Sequence, residues 1–209
     1  MIVRWSLAEL PQTLADVGIE RAFVIASRRW LDLDVPHLAW WDEVPSTRVE
    51  VPREADGILG IGGGSAIDTA KYASAQAGKP VVHVPTTYSG AEWTTFYGVR
   101  SPDRKLKGGG AGADPVAIVY DVSLTESLPR DVTAGTSLNA LAHCAEALYV
   151  KGHTSEGDDA ALAGARLISR ALPNVLRDNT QRRELLVGAA HAGNALGLVG
   201  LALGHAMAQ

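Results

Sequence analysis

Residues 57–71 read Gly-Ile-Leu-Gly-Ile-Gly-Gly-Gly-Ser-Ala-Ile-Asp-Thr-Ala-Lys. An apolar run from Gly57 to Ile61 ends in three consecutive glycines, after which Ser65 opens an amphipathic helix. Glycines let a chain turn sharply and approach a bulky anion without a β-carbon in the way. The following helix directs its first N–H groups and the positive end of its dipole to the same place. Gly62, Gly63, Gly64 and Ser65 therefore form a candidate diphosphate cradle, which points to a nucleotide cofactor. Gly63 is the residue expected to need backbone angles that a side chain dislikes. The spacing is not G-x-G-x-x-G, so a tight strand-to-helix turn with Ser65 as N-cap explains the same residues.

Two later segments carry further pattern. Residues 81–95 run from a buried strand into hydroxyl-bearing residues and a glycine, Val-Val-His-Val-Pro-Thr-Thr-Tyr-Ser-Gly-Ala-Glu-Trp-Thr-Thr. Residues 138–148 read Leu-Asn-Ala-Leu-Ala-His-Cys-Ala-Glu-Ala-Leu and suit a helix. The succession GGGS-x-x-D-x-A-K, P-T-T-Y-x-G-x-E and L-N-A-L-A-H-x-x-E-A-L resembles the iron-dependent alcohol dehydrogenase superfamily, and within it the maleylacetate reductase branch. That resemblance covers nearly all of the chain. It implies a Rossmann-like α/β domain with a parallel sheet, followed by an all-α domain, the dehydroquinate synthase-like fold.

The periodicity agrees with that order. A short helix around 7–17 ends at Gly18, and 22–27 reads as the first strand. A second strand is expected near 38–41 or 47–51, then strand 57–61, helix 65–77 closed by Gly78, strand 80–84 and strand 115–120. Residues 101–112 read as a β-hairpin or a mobile loop. Beyond Pro129 the pattern is helical, over about 133–149, 156–175 and 181–207. The expected division is 1–128 for the α/β domain and 129–209 for the helical one. Family members place helices where this chain has only 28–38 and 52–56, and a crossover needs a dozen or more residues. The five tryptophans are many for this length, and Trp40 and Trp41 are read as patching exposed sheet or an oligomer interface.

Composition narrows the classes of function. The 209 residues are 46% hydrophobic and 20% charged, with a net charge of −4. Neither a basic run nor a basic balance calls for nucleic acid. The single Cys144 excludes an internal disulfide and, with no visible leader, suits the cytoplasm. Residues 185–203 carry no charge, yet His191, Asn194 and four glycines favour a core helix over a membrane span.

Asn139, His143 and Glu146 fall on one helix face. The resemblance implies that metal-dependent relatives bind a divalent ion through an Asp aligned with Asn139, a His aligned with His143, one aligned with His205 and a further downstream His. With a neutral amide at 139, no tightly bound metal is expected, and Asn139, His143 and His205 are what remains of that set. The expected cofactor is NADH or NADPH. Asp68 is expected to cap the turn or reach a ribose, while Thr86, Thr87 and Ser89 hydrogen-bond cofactor or substrate. Tyr88, Lys107, His143 and His205 are the candidate catalytic residues. Four residues beyond His205 the family usually has another His, where this chain has Gln209. Cys144 reads as a buried small residue, and His37, His83, His153 and His191 as structural or exposed. Ser27-Arg28-Arg29 stands where an acidic residue is usual and tolerates a 2′-phosphate.

Three functions remain open at this point. One is NAD(P)H-dependent reduction of a C=C or C=O in a small, carboxylated substrate. Another is a non-redox isomerisation, cyclisation or elimination in the same site. The third is a non-catalytic subunit or half of a split enzyme. Relatives continue for several helices past Gly204-His205, so the helical domain is expected to be incomplete. An apolar face along 185–207 is then expected to join a second copy or a companion chain.

Overall fold

Short runs of β-branched and small apolar residues, buried on both faces, are what a parallel sheet requires. The computed structural model describes residues 1–101 and 106–200, with the backbone alone for 99, 100, 106 and 107. Its strands are β1 (Ile2–Arg4), β2 (Ala22–Ala26), β3 (Ala39–Trp41), β4 (Gly57–Gly62), β5 (Pro80–Pro85), β6 (Tyr97–Arg100), β7 (Leu106–Gly110) and β8 (Asp114–Val119). Six pair in parallel in the order β1-β8-β5-β4-β2-β3, while β6 and β7 form an antiparallel hairpin. The helices are α1 (Leu10–Asp16), α2 (Gly64–Ala77), α3 (Ser123–Glu126), α4 (Arg130–Ala147), α5 (Ser155–Asp178) and α6 (Arg182–Val199). Two units result: Met1–Thr86 with Thr95–Asp121, and Thr87–Thr94 with the chain from Val122 onward. Thr87–Thr94, which the sequence division leaves in the α/β part, thus belongs to the helical unit.

In the α/β unit, Val24, Ile25, Ile58, Leu59, Ile61, Val81, Val82 and Val84 are fully buried. Gly60 lets α2 lie close to the sheet, because a β-carbon there would stand 2.6 Å from Ala70 Cβ. Gly78 closes α2 in the left-handed conformation at φ 61°. Where relatives would carry helices, one 3-10 turn (Arg28–Trp30) follows β2 and no helix precedes β4. Instead Trp41, Val44, Val49 and Val51 pack on a cluster that includes Phe23, Ile25, Ile58 and Ala70. Trp41 therefore patches the sheet of its own unit. Trp40 ties the strand ends together by donating from Nε1 to Ala26 O at 3.2 Å.

Two elements escaped the sequence pattern. β1 is three residues long, too short to display alternation, and is identified by its pairing with β8, Ile2 opposite Ala117. Trp5 stacks on Tyr120 next to it, ring centroids 4.6 Å apart. α3 is a single turn. The hairpin is held to α2 by Lys71, which is 1% exposed. Its ammonium lies 2.8 Å from Asp68 Oδ1 and donates to Phe96 O at 2.6 Å. Gly98 N donates to Asp68 Oδ2 at 3.3 Å, so one ion pair joins helix and hairpin.

In the helical unit, small residues set how closely the helices approach. A β-carbon on Gly164 of α5 would come within 3.0 Å of Ala192 N and Gly188 O of α6. Leu185, Leu186, Ala189, Ala192, Ala195 and Leu196 of α6 are buried within the unit itself. The expected uncovered apolar face along 185–207 is thus not found over its described part, where Leu198 is the large apolar side chain left exposed, at 41%. Among the described residues no helix is long and apolar enough to cross a membrane.

Gly62 and Gly78 both have positive φ, 145° and 61°, but differ in surroundings. A β-carbon on Gly62 would stand 2.7 Å from Ala66 Cβ, whereas one on Gly78 meets nothing within 4 Å. Gly62→Ala should lower the unfolding free energy by about 3 kcal/mol, and Gly78→Ala by about 1 kcal/mol. Urea denaturation followed by circular dichroism measures both, and equal losses would contradict the packing described for β4 and α2.

Candidate functional site

The end of β4 makes the first of two candidate binding regions. Gly62 has φ 145°, a conformation that side chains rarely adopt. Gly63 is extended, with φ −82° and ψ −174°, so the conformational demand expected of Gly63 falls on Gly62. Gly63 is also the N-cap of α2, and no side chain caps the helix. Ala66 N and Ile67 N donate to Gly63 O at 2.9 and 3.1 Å. Ser65 is therefore the second helical residue and not the cap. Gly63, Gly64 and Ser65 are half-buried, and the uncapped first turn leaves the positive helix end beside them. Thr86 is 2% exposed and its amide donates to Gly62 O at 2.9 Å, so it braces the turn. Asp68, engaged with Lys71 and Gly98, is a framework residue; it caps no turn.

Strand register places the next residues. β2 runs parallel to β4 with Ala26 opposite Ile61, so Ser27, Arg28 and Arg29 emerge beside the glycines. Arg28 Nε lies 2.7 Å from Asp42 Oδ2, which neutralises the carboxylate after β3. The Arg29 guanidinium stands 4.5 Å from the Trp30 ring centroid. Of the two arginines at this edge, Arg28 is thus paired with a carboxylate and Arg29 lies against an indole ring.

The second region lies within the helical unit. Hydrogen bonds and close packing fasten residues 87–94 to α4 and α6. Tyr88 N donates to Thr136 Oγ1 at 3.4 Å. Asn139 Nδ2 donates to Ser89 O at 3.4 Å and faces His143 Nε2 at 3.3 Å. Arg182 Nη1 donates to the Tyr88 hydroxyl at 2.9 Å. A β-carbon on Gly90 would stand 3.4 Å from His143 Nδ1 and 3.0 Å from Gly193 Cα. Because a carbonyl oxygen accepts only, the Asn139 NH2 is the group that faces both Ser89 O and His143. His143 Nε2 must then accept, which leaves its proton on Nδ1.

This arrangement sorts the predicted residues. Tyr88 is 0% exposed and its hydroxyl is held by Arg182, so it neither stacks on a ligand nor exchanges protons with one. Thr87 and Ser89, expected with the cofactor cradle, sit in the helical unit beside Asn139 and His143. Their hydroxyl oxygens are buried and have no hydrogen-bond partner among the described residues; Ser137 Oγ is in the same condition. Two hydroxyls, an amide and an imidazole are suited to holding an oxyanion and passing a proton. The side chain of Lys107 and all of His205 lie outside the described residues. Lys71 and Arg182, both buried and both central to these regions, were missed. The signals were Lys71 three residues after Asp68 on a helix, and a lone Arg opening an otherwise apolar helix.

Two kinds of ligand can be tested against these donors. The extended Gly63 and the bare helix start fit the pyrophosphate of a dinucleotide. For iron, the described donors of the Asn139 region are a neutral amide and one imidazole, turned toward each other; no group of three or more His, Cys, Asp or Glu gathers among the described residues, and His205 lies outside them.

The iron-containing alcohol dehydrogenase family model matches residues 48–122, and the C-terminal model of the Fe-containing alcohol dehydrogenase family matches 133–209. The chain is 34% identical over 222 aligned residues to maleylacetate reductase from Pseudomonas knackmussii, with 96% of this chain and 63% of that protein covered. The crystal structure of maleylacetate reductase from Agrobacterium tumefaciens superposes with a TM-score of 0.82 at 26% identity, covering 98% of this chain and 65% of that one. An iron-containing alcohol dehydrogenase from Corynebacterium glutamicum gives 0.83 at 27%, covering 98% and 64%. The chain thus spans about 63% of the length of the first of these relatives.

Cys144 lies next to His143 in sequence but is buried, and burial pushes its thiol up to about 11. At pH 8 only about one thiol in a thousand is then ionised, and the thiolate is the reactive form. Modification by a disulfide reagent at pH 8 should be at least about a hundredfold slower in the folded chain than in urea. Rapid labelling of folded protein would contradict this burial.

Proposed function

Because the chain belongs to the iron-containing alcohol dehydrogenase family, we propose that it serves NAD(P)H-dependent reduction of a C=C or C=O bond in a small carboxylated substrate, as in the maleylacetate reductases it resembles. Gly62 to Ser65 hold the pyrophosphate through backbone amides and the helix dipole. When bound, the nicotinamide supplies a hydride. Thr87 and Ser89 offer hydroxyls to substrate oxygens, and His143 holds the proton on Nδ1. The reaction proceeds without a tightly bound metal, since an amide at 139 gives little to a divalent ion and does not repel a carboxylate.

The observation that carries this reading is the Asn139 amide spanning Ser89 O and His143 Nε2 at 3.4 and 3.3 Å. It makes the cluster neutral and rich in donors. A carboxylate at the same position would repel an anionic substrate and draw a proton or a metal onto His143. The Arg29 guanidinium, which follows β2 beside the cradle, favours NADPH over NADH.

Nicotinamide fluorescence should rise saturably when the chain is titrated into NADPH, with weaker binding of NADH. Arg29→Ser should narrow that difference by about tenfold, the value of one charge-assisted contact. Gly63→Val should abolish binding while circular dichroism stays unchanged. In a turnover assay with maleylacetate, Asn139→Asp should raise KM about thirtyfold, from roughly 2 kcal/mol of like-charge repulsion. Absence of any fluorescence change with either nucleotide would overturn the proposal.

A further inference from the structure

Within the helical unit, the turn between α5 and α6 and the start of α4 enclose a cavity of about 260 Å³. Three arginines line it, Arg130, Arg177 and Arg182. Arg182 is the unusual one. It is 7% exposed, and its hydrogen bonds go to two neutral acceptors, the Tyr88 hydroxyl at 2.9 Å and Asn179 Oδ1 at 2.5 Å. Among the described residues it forms no ion pair. Arginine keeps its charge when buried, and a buried charge without a counter-charge is costly. The wall also contains Thr133, 0% exposed, whose hydroxyl has no partner among the described residues. Arg130 and Thr133 belong to the first turn of α4, an 18-residue helix with no side-chain cap, so its positive end faces the same space.

Two carboxylates also border the cavity. Asp178 is already occupied, accepting from the Thr180 hydroxyl at 2.6 Å and from Arg177 at 3.1 Å, and these bonds hold its carboxyl below the usual range. Glu126 is exposed, where water screens its charge more than that of Arg182. The balance near the floor of the cavity is positive.

We propose that this cavity binds a small oxyanion of the phosphate or short dicarboxylate class, with Arg182 at its base and Arg130 and Arg177 at its rim. The site is distinct from the residues assigned to nucleotide and substrate. Its ligand reaches them through one contact, since Arg182 also holds Tyr88, the residue between Thr87 and Ser89. An anion on Arg182 would thereby fix the segment that presents those two hydroxyls.

The test is calorimetric titration of the full chain, without nucleotide, using inorganic phosphate in one series and malonate in another. Ionic strength is held constant with sodium chloride. Saturable one-site binding of either probe is expected; which probe binds more tightly identifies the oxyanion class. Arg130→Gln and Arg177→Gln, both at exposed positions, should each weaken binding about two- to fivefold, and Glu126→Gln should strengthen it by about twofold. Gly63→Val, which removes the nucleotide cradle, should leave this binding unchanged. Binding lost in Gly63→Val and retained in both arginine variants would place the anion in the cradle and overturn the proposal. Absence of saturable heat with both probes would do the same, leaving Arg182 as a support for Tyr88 alone.

Discussion

Gly90 and Gly193 approach so closely that a β-carbon on Gly90 would meet Gly193 Cα at 3.0 Å, and one on Gly193 would meet Gly90 O at 2.9 Å. Backbone against backbone at this distance leaves no freedom to slide. It holds residues 87–94 against α6 while Thr136 and Asn139 hold them against α4. Ser89 O is thereby placed where the Asn139 amide can reach it, and His143 is packed against Gly90. Loosen this contact and the hydroxyls, amide and imidazole have no common frame. A side chain at Gly193 would push Gly90 away, and one at Gly90 would in addition press on His143 Nδ1.

The electrostatic character of the cluster follows from one residue. An aspartate at 139 would be a metal ligand and a negative charge; the amide is neither. Placed between a carbonyl oxygen and an imidazole nitrogen, it can satisfy both only by donating, and that sets the histidine tautomer without adding a charge. The hydroxyl oxygens of Thr87 and Ser89 lie in the same segment, buried and with no partner among the described residues. Buried hydroxyls with no protein partner are costly to keep, and a ligand oxygen would relieve that cost.

Sequence reasoning located the α/β-then-helical order, the glycine turn and the Asn139–His143 face, because each is written in contiguous residues with a clear period. It misplaced what depends on contacts distant in the chain. Tyr88 looked reactive because it sits in a motif, yet its hydroxyl is taken by Arg182, 94 positions away. Asp68 looked like a ligand for ribose, yet Lys71 and the hairpin amide at Gly98 use it. Gly63 looked like the constrained glycine of the three, but only the backbone angles single out Gly62. The stretch 185–207 looked like an interface because it is apolar, and over its described part α6 packs closely on the small residues of α5 with Leu185, Leu186 and Leu196 buried. β1 could not be read at all, since three residues carry no period and its partner β8 is more than a hundred residues away.

The account rests on Asn139 donating to His143, and the imidazole itself reports whether it does. Nitrogen-15 spectra of histidine-labelled chain, with His143 assigned by comparison with His143→Gln, distinguish which ring nitrogen carries the proton. The Nδ1–H form, shifting when Asn139 is changed to Ala, is the predicted result. A proton on Nε2 would mean that the amide does not donate to His143, and the neutral cluster built on that bond would have to be abandoned.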